Sequence, residues 1–463
     1  MTPKSTDSLW QGPVMSLTAC KFGGTSLATR SQVDKCIEIM RSDGSRRFMV
    51  VSAPGARHKG DVKVTDLLIR AAAEFRSSGQ SASLDDIAAR FAEIVPESPD
   101  FYHFIKAGLQ KRLSNTSADN YEEAVKAFGE YGSACALDRI LKNQGIRSVM
   151  LDPLDIGLVI RGKDHGARPD PKCYEKMGKR IRAAGDFDIA VIPGFYGYDK
   201  SGKLQTLPRG GSDTSGAVIA RAAGAKTYEN WTDEDGLKRA DPRIVPEAGV
   251  IPEMTYEEAR ELAYMGFKLQ DACFEPIRGQ GVVLCVRNVN HPDHPGTRIV
   301  DQRQVNPEER ILGVACEKEF ISIGMRKMYI DKEVSFGRKM FSVSEALGLP
   351  YEHTLDGVDT ASMVFAKKYL KAEGAVDHLL RKLKKACKPE SMMTAEFALL
   401  SVAGLAIKNH LDVHARIFAA LAEIKAAVRM IDEGADDLSL FIGVDNERAD
   451  DAVRAIYRAF FPI

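Results

Sequence analysis

A run from Leu204 to Gly216, LQTLPRGGSDTSG, places a glycine pair, hydroxyl groups, an arginine and an aspartate in one short segment. It follows an apolar strand-like stretch and leads into small apolar residues at 217–223 that suit a helix. Backbone N–H groups at such a junction favour a phosphate or a carboxylate. Arg209 can bind a carboxylate through two hydrogen bonds, and Asp213 can orient a lysine or a metal-bound water. The run therefore predicts an anion site, although a solvated glycine loop is the alternative for this run alone.

A second glycine segment, TACKFGGTS, extends from Thr18 to Ser26. A short apolar strand runs through Lys21 into Gly23 and Gly24, and the segment does not match the G-x-x-x-x-G-K-[ST] phosphate loop. A lysine at a strand end, beside glycines and hydroxyls, is suited to neutralise charge on a phosphoryl group in transfer. A surface lysine beside a tight turn is the alternative for this segment taken by itself.

Five short motifs occur in order: KFGGTS at Lys21, VSA at 51–53, GE at 129–130, RGGSD at 209–213, and WTDEDG followed by ADPR within 231–243. Together they resemble the aspartate kinases of the amino-acid kinase family. The resemblance continues through YEEARELAYMGFK at 256–268 and into a C-terminal portion that is similar to paired ACT regulatory domains. It therefore covers nearly the whole chain.

The resemblance implies a specific reaction. The γ-phosphoryl group of ATP, bound with Mg²⁺ through its phosphates, would pass to the side-chain carboxylate of L-aspartate to give 4-phospho-L-aspartate, the first step of lysine, threonine and methionine biosynthesis. Free aspartate has a side-chain pKa near 4, so the nucleophile is already ionised and needs no general base. The obstacle is repulsion between a dicarboxylate and a polyphosphate, which cationic groups, glycine loops and magnesium would reduce.

The resemblance also assigns residues, with Lys21 and Asp213 as the catalytic pair. The residues implied for substrate binding are Ser52, Thr65, Glu130, Arg209 and Ser212. Those implied for nucleotide binding are Lys21, Gly23, Gly24, Ser26, Thr232, Asp233, Lys238, Arg243 and Lys268. No residue is assigned directly to the metal. The chain departs from the family after Lys268, where Leu269-Gln270-Asp271 replaces the usual leucine-histidine-proline, so the geometry of nucleotide contact by Lys268 is left open.

Composition sets broader limits on the class of protein. A chain of 463 residues favours two or three domains. Its 64 basic and 64 acidic side chains cancel, which gives no support to a nucleic-acid or anionic-membrane partner. We expect neither a membrane span nor a secretion leader. The eight cysteines form no C-x-x-C pair, as expected of free thiols in a reducing cytoplasm.

Between residue 16 and about 300, apolar strand candidates alternate with longer amphipathic segments. This alternation predicts an α/β fold, with a largely parallel sheet sandwiched by helices. The clearest strands are Phe48–Ser52, Ile189–Pro193 and Val282–Val289. The clearest helix is Tyr121–Leu141, which would carry Glu130 within it. We expect 1–15 to be a flexible N-terminal extension and 16–300 to be the catalytic domain.

An internal repeat lies beyond residue 300. An offset of 77 residues pairs Phe341 with Phe418 and Ser362 with Ser439 without a gap. Each copy reads as helix, strand, glycine turn and strand, although chance similarity of two small α+β pieces is the alternative. The resemblance to tandem ACT domains predicts two ferredoxin-like α+β regulatory domains, at 310–390 and 396–463.

Paired ACT domains imply a feedback-regulated homo-oligomer, a homodimer or homotetramer, that binds an amino-acid effector. We prefer lysine to threonine as that effector. The candidate site is the loop Ile330–Gly337, with Asp331, Val334 and Gly337 as contacts, and a purely structural surface loop is the alternative. In the second copy Asp412 stands where many relatives carry glycine, which argues against a second effector site.

Two other functions are compatible with parts of the sequence. One is an acyl-phosphate-forming kinase of the same superfamily that acts on glutamate or a related acid, and the ACT-like repeat argues against it. The other is a catalytically silent amino-acid sensor, and the joint presence of Lys21, Arg209 and Asp213 argues against that.

Overall fold

The computed structural model describes residues 16–162, 166–264, 271–304, 309–405, 407, 410–433 and 437–461, so the predicted extension at 1–15 lies outside the described residues. The chain divides into two compact units. The first comprises residues up to 237 with 250–256 and 269–303, and the second comprises 238–249, 257–268 and 304–463. The predicted domain boundaries themselves stay predictions. No helix in the described ranges is long and apolar enough to cross a membrane.

The first unit is built on a main sheet of eight strands with mixed direction, beside two small two-stranded sheets. Its strands are β1 Thr18–Phe22, β2 Arg46–Val51, β3 Ser148–Met150, β4 Ile160–Arg161, β5 Arg168–Pro169, β6 Ile189–Pro193, β7 Tyr196–Tyr198, β8 Leu204–Thr206, β9 Thr227–Thr232, β10 Glu253–Thr255, β11 Val283–Asn288 and β12 Thr297–Val300. Its helices are α1 Arg30–Arg41, α2 Val64–Ser78, α3 Ser83–Ile94, α4 Phe101–Leu113, α5 Tyr121–Lys126, α6 Phe128–Asn143, α7 Pro153–Ile156, α8 Tyr174–Ala183 and α9 Gly211–Ala223. Helix α10, Tyr256–Tyr264, begins in the first unit and continues into the second.

The eight strands of the main sheet lie in the order β10-β12-β11-β9-β1-β2-β6-β3. Every neighbouring pair is parallel except β11 with β12. Strands β1 and β6 are buried at every position, as expected of strands covered on both faces. The prediction of a largely parallel sheet flanked by helices is confirmed.

The long helix predicted at Tyr121–Leu141 is wrong in one respect, because the chain forms α5 and α6 with a turn at Ala127 between them. Helix α6 begins where Gly129 packs on the loop after β2. A Cβ on Gly129 would lie 2.6 Å from the Cβ of Ala53, so only glycine permits this contact. Glu130 therefore stands in the first turn of α6 and not in the middle of a longer helix.

A buried carboxylate ties the centre of the sheet together. Glu229 on β9 accepts hydrogen bonds from Arg46 on β2 at 2.8 and 3.1 Å, from Arg287 on β11 at 3.1 Å and from the Trp231 indole at 3.0 Å. Burial alone would raise the pKa of Glu229, but its contacts with Arg46 and Arg287 hold it below the ordinary value. The charge is thus compensated where it is buried, and it fixes β9 relative to β2 and β11.

The second unit contains one antiparallel sheet. Its strands are β13 Gly313–Arg326, β14 His353–Asp356, β15 Thr360–Ala366, β16 Ser391–Ala403, β17 Val428–Asp432 and β18 Ser439–Val444, in the order β14-β15-β13-β16-β18-β17. Its helices are α11 Phe336–Leu347, α12 Ala375–Cys387, α13 Leu411–Glu423 and α14 Ala449–Phe460. The two copies of the predicted repeat thus have the same order of helix, strand and strand.

Two long strands are shared between these copies. The first part of β13, 313–317, pairs with the end of β16, whereas 320–326 pairs with both β15 and the start of β16. A register shift with Glu319 at φ 68° separates the two parts. Strand β16 likewise pairs with β18 only over 398–403. Each copy is thus a β-α-β-β-α module, the first from β13 to α12 and the second from β16 to α14. Each module completes a four-stranded sheet with the strand that begins the other module.

Candidate active site

Four strands of the first unit end side by side. Phe22, the last residue of β1, lies opposite Val51 of β2 and Trp231 of β9, and Val51 lies opposite Pro193 of β6. Because these strands are parallel, the segments that follow them meet at one edge of the sheet, where open α/β sheets bind their ligands. The glycine segments predicted from sequence begin at this edge.

The catalytic residues predicted from sequence form a direct ion pair. The Lys21 Nζ atom lies 2.5 Å from Asp213 Oδ1, and the two side chains are 9% and 16% exposed. Lys21 projects from the central strand β1, whereas Asp213 stands in the first turn of α9. Partial burial strengthens this attraction relative to a surface pair. The arrangement holds a lysine ammonium at the sheet edge in a fixed orientation.

The loop after β1, which contains Gly24, is in close contact with the loop after β2, which contains Gly55. The N–H of Gly55 donates a 2.7 Å hydrogen bond to the carbonyl of Gly24. A Cβ on Gly24 would lie 2.9 Å from the Ala53 carbonyl, and one on Gly55 would lie 2.7 Å from the Gly24 carbonyl carbon. The loop after β1, with Gly23, and the loop after β2 therefore approach each other backbone to backbone, which side chains at these positions would prevent.

The RGGSD run forms the start of α9. Gly210 precedes the helix at φ 80°, a left-handed conformation that favours glycine, and no side chain caps the helix N-terminus. Ser212 lies against the loop after β6, since a Cβ on Gly194 would be 3.0 Å from the Ser212 Cβ. Arg209, just before the helix, is exposed. The N-terminus of α9 thus faces the same edge as Lys21, with its first N–H groups suited to an anion.

Glu130 is a buried carboxylate in this region, 6% exposed. Burial raises its pKa to about 8, although a backbone hydrogen bond at Ala53 and the charge of Lys21 act in the opposite direction. Its Oε2 atom has no hydrogen-bond partner among the described residues. A buried carboxylate with an unused oxygen is poorly stabilised until a cation or a donor reaches it.

Ser52 and Thr65 flank a loop that is anchored at both ends. The N–H of Ser52 donates to the Phe22 carbonyl at 3.3 Å, and the N–H of Val64, at the start of α2, donates to the Pro54 carbonyl at 3.1 Å. Both side chains are partly exposed. Ser26 lies in the short helical turn after Gly24 and is buried.

Arg90 on α3 supports this loop, and the sequence analysis did not identify it. Its guanidinium, 5% exposed, donates to the carbonyls of Gly55 at 2.8 Å and Val62 at 3.0 Å and lies 3.1 Å from Asp61. Burial lowers the pKa of Arg90. The only available sequence signal was an arginine at an apolar position of the α3 pattern, which is also compatible with a side chain that reaches solvent.

We expect Arg90→Met to lower the free energy of unfolding by about 3 kcal/mol, because it leaves the carbonyls of Gly55 and Val62 without their donor, whereas Asp61 keeps its hydrogen bonds from Arg57. It should also raise the KM for the carboxylate substrate, because the loop that carries Ser52 would loosen. Urea unfolding and initial rates measure the two effects. Arg76→Met, which breaks an exposed pair with Glu122 at 3.2 Å, is the control and should change stability by well under about 1 kcal/mol. Identical unfolding curves for the two variants would contradict this role.

The residues predicted to bind nucleotide are not all in one unit. Thr232 ends β9, and its hydroxyl accepts the Glu234 N–H at 3.1 Å, while Asp233 is exposed beside it. Lys238 and Arg243 lie in the second unit, where Arg243 pairs with Asp241 at 2.5 Å and is 86% exposed. Lys268 lies outside the described residues. The nucleotide contacts of these five residues stay predictions.

The described residues contain no group of three or more histidine, cysteine, aspartate or glutamate side chains that could hold a metal. At the site, Asp213 and the buried amide of Asn230 offer oxygen atoms. Oxygen donors in small number suit Mg²⁺, which keeps several waters and binds mainly through substrate phosphates. The donor set therefore fits a magnesium ion that arrives with a nucleotide.

The candidate effector loop lies in the first module of the second unit. Asp331 stands in a single helical turn, and its N–H donates to the Val358 carbonyl at 3.4 Å. Val334 is fully exposed, and Gly337 is the second residue of α11. Glu333 bridges Lys327 and Lys339, whose ammonium groups lower its pKa. The loop thus presents exposed residues next to a carboxylate that is paired with two lysines.

Comparison with known proteins places this architecture. Residues 16–288 match the Amino acid kinase family, and residues 400–460 match the ACT domain. The chain is 32% identical to aspartokinase 3 of Bacillus subtilis, over 95% of this chain and 98% of that protein. The crystal structure of Clostridium acetobutylicum aspartate kinase is 33% identical, with a TM-score of 0.84 over 96% of this chain and 100% of that one.

Two crystal structures of Escherichia coli aspartokinase III share the fold at 21% identity. One, in complex with aspartate and ADP, has a TM-score of 0.76 and covers 96% of this chain and 100% of that chain. The other, in complex with lysine and aspartate, has a TM-score of 0.74 and covers 96% of this chain and 99% of that chain. The two matched families agree with the similarity to aspartokinases along the chain and with the Lys21–Asp213 ion pair at the sheet edge. The chain belongs to the amino acid kinase family as one of its aspartokinases.

Proposed function

We propose that this chain transfers the γ-phosphoryl group of ATP to the side-chain carboxylate of L-aspartate. The observation that carries the proposal is the Lys21–Asp213 pair, 2.5 Å apart, in the same region as the buried Glu130 carboxylate with its unpaired oxygen. The Lys21 ammonium is suited to stabilise phosphoryl charge, and the Glu130 carboxylate is suited to bind an ammonium group. An amino acid with a second carboxylate supplies both the ammonium group and the phosphoryl acceptor. The relative in complex with aspartate supports aspartate as this amino acid.

On this proposal the substrate is held at both ends. Glu130 binds the α-ammonium group, and Arg209 binds the α-carboxylate through two parallel hydrogen bonds. Ser52, Thr65 and Ser212 complete the pocket with hydroxyl groups. The side-chain carboxylate is then presented to the phosphoryl group already ionised, so that no general base has to deprotonate it before attack.

Lys21 stabilises the negative charge of the phosphoryl group, and Asp213 fixes the orientation of the lysine ammonium. Gly23, Gly24 and Ser26 let the phosphates approach the backbone of the loop after β1. The resemblance to the family assigns nucleotide contact to Thr232, Asp233, Lys238, Arg243 and Lys268. Mg²⁺, when bound, neutralises phosphate charge, and Asp213 with the waters around it would hold the ion. Catalysis is thus mainly positioning and electrostatic stabilisation.

The proposal is tested by ADP release from purified protein with Mg-ATP and either L-aspartate or L-glutamate, with hydroxylamine present to trap an acyl phosphate. We expect aspartate-dependent hydroxamate. Hydroxamate with glutamate alone would reassign the substrate. Protein that binds amino acids but gives no turnover with either would support a silent sensor.

We propose further that lysine is the effector of a cytoplasmic homodimer or homotetramer, with Asp331, Val334 and Gly337 as contacts. The lysine-bound relative and the match to an ACT domain support this assignment. All eight cysteines are free, which suits a reducing compartment. Lysine should raise the melting temperature of the wild type more than threonine does, because a ligand of the folded state stabilises it.

Asp331→Ala should remove that lysine-dependent rise in melting temperature. Asp412→Ala, at the start of α13 in the second module, is the matched control and should keep it. A full lysine response in Asp331→Ala would move the effector site away from this loop.

A further inference from the structure

Asn230 is a polar residue at a position where the fold calls for an apolar one. It lies in the central strand β9, opposite Lys21 of β1 and Val286 of β11, and it is 4% exposed. Central strands of a parallel sheet are covered on both faces and normally carry aliphatic side chains. Its amide nitrogen donates a 3.3 Å hydrogen bond to Asp213 Oδ1, the same oxygen that lies 2.5 Å from Lys21 Nζ.

The amide is only half satisfied. Asn230 Oδ1 is buried and has no hydrogen-bond partner among the described residues. A buried polar atom without a partner destabilises the folded chain, whereas an apolar side chain of similar shape would not carry this cost. Packing and stability therefore do not explain an asparagine at this position, and its one hydrogen bond leads to the catalytic pair.

We propose that Asn230 is a positioning residue that holds the Asp213 carboxylate in place during phosphoryl transfer. This inference rests on the proposed function. The Lys21 ammonium lies against Asp213 Oδ1, so an ammonium that turns toward a phosphoryl oxygen loosens its hold on the carboxylate. Asn230 supplies a second donor to Oδ1 from a buried strand that does not move with the ligand.

The test is Asn230→Leu, which keeps approximate shape and removes both polar atoms. We expect kcat to fall by about 10-fold or more, in line with loss of a hydrogen bond to a charged group. The KM for aspartate should stay within about twofold, since Glu130 and Arg209 are unchanged. The melting temperature should be equal to that of the wild type or higher, because an unpaired buried amide has been removed.

Tyr228→Phe is the matched control. The Tyr228 hydroxyl lies on the same strand and donates to the same residue, but to the Asp213 main-chain carbonyl at 2.9 Å. Its removal should leave kcat within about threefold. In an Asp213→Asn background, Asn230→Leu should give no further loss of kcat, because two residues that act through one group are not additive.

These measurements test the role of Asn230 and do not depend on which acid is the substrate. An unchanged kcat in Asn230→Leu, an equal loss in Tyr228→Phe, or full additivity with Asp213→Asn would overturn it. So would a large fall in melting temperature, which would make Asn230 a structural residue. The comparison uses whichever acid the wild type phosphorylates, so a change from aspartate to glutamate leaves it intact. A wild type inactive with both acids would overturn this role together with the proposed function.

Discussion

Lys21→Ala and Asp213→Ala should each lower kcat by about 100-fold or more, the range typical of losing one preorganised electrostatic contact to a transition state. Either change removes half of an ion pair whose members are 9% and 16% exposed. On the proposed roles, Lys21→Ala removes the group that stabilises phosphoryl charge, and Asp213→Ala removes the group that orients it. The double variant should lose little more than the worse single one, because the pair acts as a unit.

Initial rates with saturating Mg-ATP and aspartate measure these losses, and circular dichroism melting confirms that the variants fold. Lys203→Ala is the control, since its pair with Asp119, at 3.0 Å, is exposed to solvent. It should keep near-normal turnover. Near-normal turnover in both Lys21→Ala and Asp213→Ala would refute the roles assigned to this pair.

Glu130→Gln should stabilise the protein at alkaline pH while it abolishes activity. Burial raises the pKa of Glu130 to about 8, against an ordinary value of 4.5. The folded state therefore binds more protons than the unfolded state between these two values, and stability falls as pH rises through that window. Above about pH 8 the full penalty, on the order of a few kcal/mol, is present. A neutral glutamine of the same shape does not carry it.

Urea unfolding of wild type and Glu130→Gln between pH 5 and about 9 measures this effect, with the two proteins alike at the acid end and the variant more stable at the alkaline end. The control is Glu175→Gln, an 82% exposed carboxylate paired with Lys179, which should not change the pH dependence. Parallel curves for wild type and Glu130→Gln would show that Glu130 is not held at high pKa in the folded protein.

The same carboxylate should set the pH dependence of substrate use. Only ionised Glu130 attracts an ammonium group, so kcat/KM for aspartate should rise with pH up to about 8. Aspartate binding below that pH should release a proton from Glu130, which calorimetry in buffers of different ionisation enthalpy detects. Glu130→Gln should release none. A pH-independent kcat/KM between 6 and about 8 would assign the ammonium to another group.

Local sequence determined the chemical parts of this protein. The run into Gly23 and Gly24, the RGGSD segment and the strand Ile189–Pro193 follow from short-range patterns, because an apolar stretch that ends in glycine fixes a strand and a loop within a few residues. Their order along the chain also identified the family. Parallel strands then bring the ends of β1, β2, β6 and β9 to one edge, which explains why Lys21 and Asp213, far apart in sequence, meet.

Only the tertiary structure decided the environments. The high pKa of Glu130 is a matter of burial, which is the sum of packing from several elements and has no signature in the letters around it. The support of the loop after β2 by Arg90, and the hydrogen bond of Asn230 to Asp213, join residues from distant segments. The sharing of β13 and β16 between the two modules is likewise a pairing of distant strands. Sequence periodicity reports which residues are buried along one element, whereas the partners they meet there depend on long-range contacts formed only in the folded chain.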